Sequence, residues 1–287
     1  MPLLYWVADT IGDTCYLLLR HQRRNVWDNL RQVLGPDAAE AHIRRAAHEV
    51  FRNVAKYYCD LAHMPQLNTE EFGRRRLHQY GWYENVVPAV ERGKGVIMVS
   101  AHFGNPELAI QGVLNGGVQV FALTEPLQPP RLSQLVDRLR SCPGHTFVSI
   151  SVANVKRAIR TLRAGGAVAV MMDRDILGPR ALLPFCGKEA LMPTGPIELA
   201  MRTGAIVIPT FCHRRRFDEI DAYLEEPLEM VNTGKFQEDV RTNALRLLAR
   251  FERHLRQDPG QWQVLEAVWD SGAVVTTEAS VAGGVSR

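Results

Sequence analysis

The chain has 287 residues, enough for a large core, and 46% are hydrophobic against 23% charged, which excludes an intrinsically disordered chain. Its 34 basic and 31 acidic residues leave a net charge of +3, too small a bias to argue for nucleic acid as a partner. Five scattered cysteines, at 15, 59, 142, 186 and 212, form no Cys-x-x-Cys pair and fit reduced thiols better than a disulfide framework or a zinc site.

In chain order, Leu3 to Leu19 comes nearest to a spanning segment but carries Asp9 and Asp13, and no apolar run reaches the roughly 20 residues required. It lacks a basic leader and a clear cleavage site, so a signal peptide is not expected. Two readings stay open. Leu4, Trp6, Val7, Ile11, Leu17, Leu18 and Leu19 can lie in a bilayer surface, with Arg20, Arg23 and Arg24 on anionic headgroups. Alternatively the helix packs on the core with a solvated basic end. After Gly35-Pro36-Asp37, Ala39 to Met64 reads as an amphipathic core helix with Ile43, Ala47, Val50, Phe51, Val54, Tyr58 and Leu61 on one stripe, ended by Pro65. Arg74-Arg75-Arg76 opens a connecting stretch, and Glu84 to Arg92 reads as a short helix.

A β/α alternation follows. Strands are predicted over 95–100, 118–123, 146–150, 167–172 and 205–211, with an edge strand over 217–228. Helices are predicted from Pro106 to Leu114, Pro130 to Ser141, Val152 to Arg163, Thr194 to Arg202 and Phe236 to Gln257. From Ser271 the chain is small and polar and reads as a disordered tail.

The chemistry concentrates where the first of these strands ends, at Ser100-Ala101-His102-Phe103-Gly104-Asn105-Pro106-Glu107. The strand carries His102 to the carboxyl edge of a sheet, where open α/β folds bind their ligands. Gly104 and Asn105 suit a bent backbone, Pro106 suits the first helical position, and Glu107 meets the positive end of the helix dipole. Through the loop, Glu107 can fold back on the imidazole and make it a better general base. A second strand end carries Asp173-Arg174-Asp175-Ile176, and acids at two strand ends of one sheet mark an active-site edge.

His102-Phe103-Gly104-Asn105-x-Glu107 resembles the His-x4-Asp/Glu motif of lipid acyltransferases, in the form used by the bacterial lipid A biosynthesis (lauroyl/myristoyl) acyltransferases and their relatives that acylate phosphatidylinositol mannosides. Further matches follow in order: Arg140 with Gly144 as Arg-x3-Gly, Pro184-Phe185-Cys186-Gly187-Lys188 with Met192-Pro193-Thr194-Gly195-Pro196, and Pro259-Gly260-Gln261-Trp262. Arg174 departs from the Asp-Gln of many lipid A enzymes towards the mannoside acyltransferases.

The resemblance implies a glycerolipid acyltransferase-like α/β fold: a central mixed sheet flanked by helices over 69–270, with N-terminal helices over 1–68 that are membrane-associated and packed on the core. It implies catalytic roles for His102, Glu107 and Asp173, with either acid free to orient the imidazole. It implies substrate-binding roles for Asn105, Arg140, Arg174, Thr194 and Gly195. A coenzyme A or acyl carrier protein thioester would be the donor and a glycolipid hydroxyl the acceptor, with no cofactor or metal, at the cytoplasmic face of the inner membrane. The competing readings are a non-catalytic lipid-binding protein of the same fold and a glycerol-phosphate acyltransferase, whose Glu-Gly-Thr-like phosphate motif is missing. A Gly-x-Ser-x-Gly elbow and a Gly-x4-Gly-Lys-Ser/Thr loop are also missing.

Overall fold

The computed structural model describes residues 2–113, 117–140, 144–174 and 178–269. The predicted helix ends at Leu114 and Ser141, together with Cys142, Asp175, Ile176 and the tail from Ser271, lie outside the described residues.

Three helices lead the chain: α1 (Pro2–Leu18), α2 (Arg20–Leu34) and α3 (Glu40–His63). Leu19 leaves the helical region with ψ at 71°, and the Arg23 guanidinium donates to the carbonyl of Tyr16 (2.8 Å) that the break leaves free. α1 lies antiparallel on α3, because Asp13, Asp9 and Tyr5 meet Arg52, Lys56 and Asp60 in that order. The helices touch at Gly12, where a Cβ would stand 2.6 Å from the Cα of Arg52. On α3 the predicted stripe buries Ile43, Ala47, Val50, Phe51 and Leu61. Tyr58 is instead 60% exposed, and its neighbour Tyr57 turns inward.

Next come α4 (Thr69–Arg75), β1 (Leu77–Tyr80) and a π-turn (Trp82–Val86) running into α5 (Val87–Glu91). The alternation then gives β2 (Val96–Gly104), α6 (Pro106–Gln111), β3 (Val120–Thr124), α7 (Pro130–Arg140), β4 (Thr146–Ser149), α8 (Val152–Arg163) and β5 (Ala167–Met171). A hairpin, β6 (Arg180–Phe185) and β7 (Lys188–Pro193), precedes α9 (Gly195–Thr203), β8 (Ile206–Arg216), β9 (Glu219–Leu224) and α10 (Phe236–Gln257).

The central sheet has the order β1-β9-β8-β2-β5-β3-β4 and is mixed: β8 and β9 pair antiparallel, and every other pair is parallel. β9 is not the predicted edge strand. Leu77 to Tyr80 pair with Ile220 to Tyr223 and cover it, and Leu-His-Gln-Tyr carries no β-branched residue to announce β1. The β6–β7 hairpin also has no counterpart among the predicted strands. Its two-residue turn, Cys186-Gly187, holds both residues at positive φ (50° and 80°), the geometry that matches strand twist.

Alternation along β2 sorts the molecule into two faces. Ile97, Val99, Ala101 and Phe103 join the core beneath α8, α9 and α10. Val96 and Met98 join the core on the α3 and α6 side, and His102, two and four residues beyond Ser100 and Met98, shares their face.

Candidate active site

His102 lies within β2 and not in the loop after it, because the strand continues to Gly104. Residues from the far end of the chain hold this extension: Phe103 bridges to Trp262, and the Gln263 amide donates to the His102 carbonyl (2.8 Å). At Gly104 φ is +62° and a Cβ would stand 1.6 Å from the Cys212 carbonyl oxygen, so only glycine lets β2 and β8 close here. Asn105 then caps α6, its Oδ1 accepting from the Leu108 amide at 2.9 Å. Its Nδ2 donates to Asp60 Oδ2 (2.7 Å), and Asp60 also accepts from the Tyr5 hydroxyl (2.5 Å) and from the Arg214 guanidinium. Asn105 is fully buried, and its amide is engaged in holding the loop to α3 and α1.

The two acids divide. Met172 donates to the Ser100 carbonyl (2.9 Å) and extends the β2–β5 pairing up to Asp173. Asp173 Oδ1 stands 2.7 Å from His102 Nδ1, and its Oδ2 accepts from the His102 amide (2.9 Å) and from the Trp262 indole Nε1 (2.8 Å). Burial alone would push this fully enclosed carboxyl upward. The imidazole, the indole N–H and the backbone amide outweigh burial and hold it below the usual carboxylate range. With Nδ1 held, the Nε2 side of His102 is left for a substrate proton.

Glu107 does not fold back on His102. Its Oε2 takes Arg140 Nε at 2.7 Å and the Tyr57 hydroxyl at 3.1 Å, while Arg140 Nη2 donates to the Tyr57 oxygen (3.0 Å). Burial works against the Arg140 charge, but Glu107 and Tyr57 more than compensate, so the guanidinium stays firmly protonated. Burial and Glu107 push the Tyr57 hydroxyl well above its ordinary value.

His102, Glu107 and Arg140 line one cavity of about 270 Å³, which also reaches Arg174. Arg174 pairs with Glu125 and lies 3.7 Å from Glu266 on its solvent side. The depth of the cavity comes from small side chains in register: Ala122 pairs with Ala169 and Ala169 with Met98, and all three line it. Most of the remaining wall is apolar, from Leu61, Trp82, Ile110, Val113, Val120 and Leu224. Thr194 and Gly195 are not part of it. They begin α9 on the other face of the sheet, where the Thr194 hydroxyl donates to Glu198 Oε1 (3.0 Å) and does not accept from a helix amide as its cap position predicts. Sequence reasoning missed Tyr57 and the part of Trp262. The first is findable, since Val50, Val54, Tyr57 and Leu61 also keep helical spacing. Trp262 stands out in the sequence only as the end of a motif.

A buried acid fixing one nitrogen of a strand-end histidine, above an apolar cavity, suits transfer to or from a lipid chain. The chain is similar to phosphatidylinositol mannoside acyltransferase of Mycobacterium tuberculosis (strain CDC 1551 / Oshkosh), with 25% identity over 84% of this chain and 75% of that protein. The same figures hold for the protein of that name from strain ATCC 25618 / H37Rv. Identity to the phosphatidylinositol mannoside acyltransferase of Mycolicibacterium smegmatis (strain ATCC 700084 / mc(2)155) is 22%, over 84% of this chain and 77% of the relative. The family model for bacterial lipid A biosynthesis acyltransferases matches residues 1–271, nearly the whole chain including the dyad and its Trp262 partner, and the chain therefore belongs to that acyltransferase family.

Proposed function

We propose that the protein moves a fatty acyl group from an acyl thioester, on coenzyme A or acyl carrier protein, to a hydroxyl of a membrane glycolipid of the lipid A or phosphatidylinositol mannoside type. The observation that carries this reading is the His102–Asp173 pair opening onto a cavity with a largely apolar wall. His102 Nε2 takes the acceptor's hydroxyl proton, and the oxygen attacks the thioester carbonyl. The tetrahedral intermediate collapses, the C–S bond breaks, and the proton held on His102 passes to the leaving thiolate. The products are an ester and a thiol. Asp173 keeps the neutral imidazole in the Nδ1–H tautomer and then balances the imidazolium. Arg140, held by Glu107 and Tyr57, and Arg174 meet the polar parts of the two substrates, since a guanidinium stays charged and forks its hydrogen bonds. Asn105 serves the site by holding the loop.

Docking at the membrane is assigned to α1. Tyr5 and Ala8 are buried on α3, whereas Leu3 (73% exposed), Trp6 (66%) and Ile11 (48%) face outward, and Leu17 and Leu18 add to them. On this reading the protein sits peripherally at the cytoplasmic face of the inner membrane; among the described residues no helix is long and apolar enough to cross it.

The test is transfer from radiolabelled palmitoyl-CoA to phosphatidylinositol mannosides and to a lipid A precursor by the purified protein. His102→Ala is expected to fold normally and lose transfer by about 10²–10⁴-fold, the usual worth of a general base. Undiminished turnover in that variant would remove His102 from the mechanism. Lipid binding without transfer by the parent protein would favour the non-catalytic reading.

A further inference from the structure

We propose that Trp262 is a positioning residue for the catalytic pair: its indole N–H fixes the Asp173 carboxylate against His102, and it affects transfer only through that acid. Asp173 is completely buried, so each lone pair it presents must find a donor inside the protein. Oδ1 is taken by His102 Nδ1. Oδ2 has two donors, the His102 amide at 2.9 Å and Trp262 Nε1 at 2.8 Å. The amide belongs to the residue being oriented, so it is the indole that ties the acid to a different part of the fold.

Trp262 is itself rigidly held. It is 1% exposed, its ring lies edge-on to Phe185 (6.3 Å) and Trp269 (6.1 Å), and its backbone pairs with Phe103 beside the histidine. The residue before it acts elsewhere. Gln261 Oε1 accepts from the Arg214 amide (2.7 Å), and its Nε2 donates to the Arg214 carbonyl (3.1 Å). The short turn after α10 thus clamps β8 with one side chain and delivers a single N–H to the acid with the next. An aromatic ring alone would fill the space. A tryptophan is required because the acid needs a donor.

The catalytic consequence rests on the acyl-transfer reading, so the experiment has two separable arms. In the first, Trp262→Phe keeps a ring among Phe185 and Trp269 but removes the N–H. It is expected to lower kcat about 10- to 100-fold, the factor set by losing one hydrogen bond to a charged group, with KM unchanged. In an Asp173→Asn background the same substitution is expected to cost nothing further, since groups acting as one unit are non-additive. Full kcat in Trp262→Phe, or an equal loss with and without Asp173, overturns the proposal.

The second arm needs no turnover. 15N NMR of His102 in the neutral state is expected to report the Nδ1–H tautomer in the parent protein and a mixture of tautomers in Trp262→Phe. An unchanged tautomer overturns the proposal even if the parent protein transfers nothing, a result that would instead sink the acyl-transfer reading. Should Trp262→Phe fail to fold, benzothienylalanine at position 262 keeps the bicyclic ring without the N–H, and the same outcomes apply.

Discussion

His102, Asp173, Glu107 and Arg140 form two opposite pairs inside one protein, and the pairs differ in burial and purpose. The Glu107–Arg140 pair is largely enclosed, with side-chain exposures of 13% and 8%. Removing one partner of such a pair strands the other charge, a loss of roughly 3–5 kcal/mol, while removing both can be nearly neutral. Glu107→Gln and Arg140→Met are therefore each expected to lower the denaturant midpoint clearly, and the double variant to recover much of the loss. Urea unfolding of the three proteins checks this; additive losses would mean the charges do not depend on each other. At this scale the sequence is half legible. Strand ends announce His102 and Asp173, because an apolar run that stops at a charged residue marks the sheet's carboxyl edge. The choice between Asp173 and Glu107 is not readable, because both stand close to His102 in any α/β fold of this order and only side-chain direction separates them. Trp262 is hidden for a related reason: its partner lies 89 residues away in sequence, beyond any local pattern.

Among the elements, α1 packs on α3 through Tyr5 and Ala8, as the core-packing alternative has it, and leaves Trp6 and Ile11 outside, where the proposed membrane docking would use them. Trp6→Asp with Ile11→Asp is expected to abolish binding to anionic vesicles without lowering Tm, because neither side chain is part of the core. Vesicle sedimentation at rising salt measures it; binding indifferent to both substitutions would leave α1 a packing helix only. The sheet carries a second element-scale prediction. In the row Phe147, Ala122, Ala169, Met98, two adjacent methyl-sized side chains open the space below the histidine. Met98 lies four residues before His102, about 13 Å along the strand at 3.3 Å per residue, so this row sits far down the cavity. Ala169→Leu is expected to shift donor preference towards shorter acyl chains, seen by competing palmitoyl- and decanoyl-CoA, and an unchanged ratio would mean the chain runs elsewhere. Long apolar strands and well-spaced helices are legible because both faces of a central strand are buried. The short β1 and the β6–β7 hairpin are not, since Leu-His-Gln-Tyr lacks β-branched residues and a Cys-Gly turn between Pro-bearing strands gives little pattern.

For the whole molecule, acid tolerance should be set partly outside the active site. His213 on β8 meets His254 of α10 (3.1 Å between ring nitrogens), His254 meets Glu225 (2.9 Å), and Asp221 and Arg215 lie beside them. Burial, then His254, pushes His213 down to about 4, with Asp221 opposing weakly. A histidine near 6.5 when unfolded and near 4 when folded binds its proton more readily in the unfolded chain. Its contribution to stability is complete above about pH 6.5 and is lost as pH falls towards 4. Tm is expected to drop across that interval, and less steeply in His213→Gln; parallel curves would remove His213 as the cause. The placing of Trp262 has a different consequence, one of timing. The histidine, the acid that holds it and the indole donor come from positions 102, 173 and 262, in that order of synthesis. While the chain grows on a ribosome, the apolar helix emerges before the histidine and its acid, and the donor to the acid after both. A nascent chain stopped at Gln257 is expected to attach to vesicles but to transfer far more slowly than the longer chain, so on the proposed reading membrane contact would precede a fully set active centre.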